Sequence, residues 1–168
     1  MKAIEAAAGS LRWIHPDVVQ PEYELQSAGE TVARLRFETG SDAAAQATGE
    51  SAAGAWTFRQ LGFLNPHIIV REHQTKAHAA RFDATWSGGG IAEFPEGRHY
   101  RWSSNLWRAE WAWIDTAGKD VIRFKRSFDV IERNEGTVEV DPGTHHVDVL
   151  TLLGWFLIIL VAESGRPS

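Results

Sequence analysis

Residues 149–162 (VLTLLGWFLIILVA) form one unbroken apolar run near the C-terminus, with no polar face at helical spacing. A helix that is apolar all round must be surrounded by apolar material, either lipid or the inside of a protein. The residues that come before it decide between the two.

From Leu11 onward the chain reads as short segments with apolar side chains at every second position, separated by Gly, Pro, Asn or Asp. In residues 31–38, Ala33, Leu35 and Phe37 share one face while Arg34 and Arg36 share the other, as expected of a strand buried on one side. Tyr23 with Leu25, Trp56 with Phe58, Tyr100 with Trp102, Trp111 with Trp113, Ile122 with Phe124 and Val138 with Val140 repeat the pattern. Candidate turns fall at Ala28-Gly29, residues 39–42, Thr48-Gly49, Asn65-Pro66, residues 87–90, Pro95-Glu96-Gly97, Ala117-Gly118 and Asn134-Glu135-Gly136. Read as hairpin connections, they predict about twelve antiparallel strands over about 11–141. A helix follows over about 144–163, capped by Thr144 and ended at Gly165 with Pro167 beyond. No linker or repeat divides the 168 residues, so one domain over 1–168 is expected.

The apolar run has fourteen residues, whereas a bilayer span takes about 20 and runs of about 10 to 14 are more often core helices. Asp148 and Glu163 bracket it, where a span would carry Lys, Arg, Trp or Tyr anchors. A helix of that length is about 21 Å long, and strands of about eight residues tilted by about 40° make a wall about 20 Å tall. Twelve such strands close to a radius of roughly 12 Å, which wall side chains alone do not fill and a helix about 10 Å across does. The expected fold is therefore mainly β: a closed antiparallel barrel of about twelve strands enclosing a C-terminal hydrophobic α-helix. Leu150, Leu153, Gly154, Trp155, Leu157, Ile158 and Val161 form the plug. Gly154 should lie where the wall comes close, since glycine in mid-helix costs about 1 kcal/mol against alanine.

Strands followed by DVLTLLGWFLIILVAE, together with Gly54-Ala55-Trp56-Thr57-Phe58-Arg59 and Gly97-Arg98-His99-Tyr100-Arg101-Trp102, resemble the tubby C-terminal-like group of tubby, LURP-one-related and phospholipid scramblase proteins. The resemblance covers nearly the whole chain and implies a twelve-stranded barrel around a central helix. At family level it also implies binding of anionic lipid headgroups. The calcium role of scramblases is not carried over, because residues 115–120 hold only two carboxylates at the wrong spacing for a calcium loop.

Candidate anion-binding side chains are Arg71, Lys76 and Arg81, and Arg123, Lys125 and Arg126, with Arg123 and Lys125 two apart on one strand face. A solvated outer face explains the same pattern, and the formal net charge of −5 favours that reading and argues against nucleic acid. The seven histidines show no ligand spacing, and no cysteine is present, so no metal site or cofactor is expected. Nucleophile-elbow and phosphate-loop motifs are absent from the sequence, which makes a non-enzymatic protein the expectation. Trp102, Trp107, Trp111 and Trp113 read as barrel packing, with Trp107, in a turn, the exception.

These readings favour a binding or scaffolding module that meets an anionic phospholipid or a protein on its outer surface. No secretory signal is apparent in MKAIEAAAGSLRW, and a cytoplasmic location, peripheral to membranes if lipid is the partner, is expected. Two alternatives are a tail-anchored or scramblase-like lipid protein, whose helix must leave the barrel, and a lipocalin-like carrier, whose helix must pack outside a hollow one.

Overall fold

A computed structural model describes residues 1–5, 10–17, 19–38, 45–62, 66–85, 88–127 and 134–164. The strands are β1 (Leu11–Ile14), β2 (Glu22–Ser27), β3 (Glu30–Phe37), β4 (Gln46–Ser51), β5 (Gly54–Leu61) and β6 (His67–Glu72). They continue with β7 (His78–Ala84), β8 (Gly90–Glu93), β9 (His99–Asn105), β10 (Glu110–Ile114), β11 (Asp120–Ser127) and β12 (Glu135–Val140), and α1 (Val147–Ser164) follows. Each strand pairs antiparallel with its neighbour in sequence. The barrel closes where β1 meets β12, with Leu11 opposite Val138 and Trp13 opposite Gly136.

The alternation read from the sequence sets the two faces of the wall. Trp13, Leu25, Leu35, Phe58, Val70, Trp113 and Ile122 point inward with no exposed surface, while Arg34, Arg81 and Arg123 point out. This polarity is opposite to that of a barrel embedded in lipid. Bulges depart from strict alternation. Val32 is the extra residue of β3 opposite the Leu25/Gln26 step, and it is buried beside Ala33. Val121 does the same on β11. Such an insertion re-aims one side chain without breaking the ladder on either side.

The helix lies inside the barrel. Leu150, Leu152, Leu153, Trp155 and Phe156 have no exposed surface, and Gly154 and Ile158 are buried with them. Trp155 stacks on Trp13 of β1 at 5.6 Å, and Phe156 stacks on Phe37 of β3 at 5.4 Å. Gly154 sits where expected: a Cβ there would be 2.4 Å from the ring of Phe124 on β11. Leu157 is partly buried, and Val161 is half-exposed, so the plug ends before the apolar run does.

Three expectations need correction. Thr48-Gly49 and Asn134-Glu135-Gly136 are not separate turns, because Gly49 lies inside β4 and Gly136 inside β12. Both glycines answer to packing. A Cβ on Gly49 would be 3.1 Å from Leu152, and one on Gly136 would be 2.6 Å from the Lys125 carbonyl and 3.2 Å from Trp155. Thr144 does not cap the helix, since its hydroxyl donates to the carbonyls of Asp141 and Val121, and α1 begins three residues later. The turn signal at residues 39–42, Asn65, Ser87 and the helix exit at Gly165 and Pro167 lie outside the described residues.

Candidate functional site at the two ends of the barrel

An up-and-down barrel sorts its connections by parity. The β2–β3, β4–β5, β6–β7, β8–β9 and β10–β11 turns lie at the end where α1 enters, and the β1–β2, β3–β4, β5–β6, β7–β8, β9–β10 and β11–β12 connections lie where it finishes. The two ends differ in chemistry.

At the entry end, polar contacts fasten the helix. The Ser51 hydroxyl donates to Asp148 Oδ1 at 2.6 Å, and the Tyr100 hydroxyl donates to the His145 carbonyl at 3.4 Å. His146 adopts a left-handed backbone (φ 57°), stacks on Phe94 at 3.8 Å and hydrogen-bonds to Glu96. That bond holds the Glu96 carboxyl below the usual carboxylate range. Asp141 is held low as well, by a hydrogen bond from Lys119, 3.2 Å away, and by Arg123 at 3.3 Å. Burial pushes the Tyr100 hydroxyl up. Glu96, Tyr100, Lys119 and Asp141 line a cleft of about 510 Å³, with Arg98, His99 and His145 also on its walls. Lys119 and Asp141 neutralise one another across it, and the rest of the cleft carries charges of both signs.

At the exit end, apolar side chains reach the surface. Of the large hydrophobic side chains exposed among the described residues, Val19 (81%), Leu106 (65%), Trp107 (97%) and Val161 (50%) all belong to this end, with Met1 as the remaining one. Leu106 and Trp107 crest the β9–β10 turn. The Arg108 N–H donates to the carbonyl and side-chain oxygen of Asn105, and the Ala109 N–H donates to the Leu106 carbonyl. With the backbone closed on itself in this way, both side chains project from the barrel. Behind them Leu106 and Val161 frame an apolar pocket of about 230 Å³ that reaches Phe82, Trp102, Trp111 and Leu160.

The cations singled out in the sequence sit elsewhere. Arg81 forms a forked pair with Asp83, with Nε and Nη2 each at 3.1 Å. Arg71 and Lys76 are exposed near the β6–β7 turn and make no ion pair among the described residues. Arg123 and Lys125 share the outer face of β11, as expected, but Arg123 lies 3.1 Å from Glu139 and Lys125 lies 4.0 Å from Glu110. Arg126 follows the opposite parity, with Ile122 and Phe124, and donates to the buried Asn134 side chain at 2.5 Å. Among the described residues, no cluster of three His, Asp or Glu side chains is placed to hold a metal. Among the described residues, no helix is long and apolar enough to cross a membrane.

Trp107 was legible in the sequence as the tryptophan outside the packing pattern. Val19 and Val161 were not, since Val19 lies in the β1–β2 connection outside any alternating segment and Val161 continues the apolar run read as the plug. Comparison with protein families, curated proteins and solved structures finds no match to this chain.

Proposed function

We propose that this chain is a non-enzymatic docking module of the tubby-like kind, a rigid plugged barrel that binds through its exit end. One observation carries the reading: the helix occupies the barrel, with Leu150, Leu153, Trp155 and Phe156 entirely inside, so the central space that a carrier would offer a ligand is taken up by the chain itself. Binding is left to the outer surface, and exposed apolar side chains there gather at one end. Concentrated apolar exposure rimmed by polar groups marks interaction sites. The twelve-stranded barrel with its apolar C-terminal helix is also the arrangement that the tubby resemblance implies.

A lipocalin-like carrier needs the interior that α1 occupies, and a tail anchor needs that helix in lipid. Recognition of acidic headgroups by Arg123 and Lys125 has less support, because each already faces a carboxylate. The test uses anilinonaphthalene sulfonate, which fluoresces on apolar surface. The folded protein should enhance its fluorescence, and Leu106→Ser with Trp107→Ser should abolish the enhancement while the thermal transition stays unchanged. Enhancement that survives both substitutions would place the binding surface elsewhere and overturn the reading.

A further inference from the structure

We draw no further inference here: the strongest candidate, the cleft at the entry end between the β8–β9 turn, the β10–β11 turn and the β12–α1 connection, has charges that satisfy one another, with Lys119 on Asp141, Arg98 near Glu96 and Asp115 on the backbone of its own turn, so nothing in the structure selects the chemistry of a ligand.

Discussion

The indole N–H of Trp113, on β10, donates to the backbone carbonyl of Leu150 in the first turns of α1 at 2.8 Å, inside the barrel. This bond joins wall to plug, and it is the buried side-chain hydrogen bond between them among the described residues. Trp113→Phe keeps a ring in place but removes the donor and part of the volume. The expected cost is about 1–2 kcal/mol, read as a lower midpoint in chemical denaturation with an unchanged slope.

Gly154 faces the ring of Phe124, itself only 1% exposed. Alanine would gain about 1 kcal/mol of helix propensity at this position. The clash outweighs that gain, because a buried aromatic ring already packed edge-on against Trp102 has no room to retreat. Gly154→Ala should therefore destabilise, and Phe124→Leu in the same chain should recover part of the loss, so that the pair is non-additive in a double-mutant cycle.

The hydroxyl of Thr151 is fully buried and has no hydrogen-bond partner among the described residues, as is also true of the Trp13 and Trp155 indole nitrogens. Valine has nearly the same shape and no polar atom to leave unsatisfied. Thr151→Val should stabilise the protein by about 1 kcal/mol, seen as a higher melting temperature.

Leu153 is buried at the centre of the plug. A carboxylate there has no partner, and its desolvation exceeds what a domain of ordinary stability can absorb. Leu153→Asp should abolish the cooperative thermal transition, and so should deletion of the residues after Asp141. A native-like transition in either variant would mean that the wall stands without its helix.

At the entry end, Asp141 and Glu96 have folded-state pKa values below their ordinary ones, through Lys119 and His146 respectively. A depressed carboxylate contributes stability above its unfolded pKa and loses it as pH falls through the folded value. Stability should accordingly decline on the acid side of the carboxylate range. Asp141→Asn should lower stability at neutral pH and flatten that decline, which denaturation midpoints taken across the acid range would record.

The barrel and its plug were legible in the sequence because both depend on local periodicity. Period-two alternation put Leu35 inside and Arg34 outside, and the absence of a polar face put residues 149–162 in a core. Gly49 and Gly136 were misread because a glycine demanded by close packing in a strand looks the same as one demanded by a turn. Thr144 was misread because a hydroxyl before a helix can satisfy other carbonyls. Arg126 looked like a neighbour of Arg123 and Lys125 until strand parity sent it to the other face.

What the order of residues determined alone was the inside and outside of each strand, and the need for an apolar enclosure around the C-terminal run. Hydrophobic burial acts on side chains a few positions apart, so that information is local. The tertiary structure decided which ends of the strands share a surface. Val19, Leu106, Trp107 and Val161 are far apart in the chain, and only the up-and-down course of twelve strands, with a helix returning through their centre, delivers them to one end. The closure of the barrel likewise decided that Arg12 of β1 meets Glu135 of β12, at 3.5 Å across the seam. Electrostatic pairing depends on distance in space, which connectivity sets and sequence spacing does not.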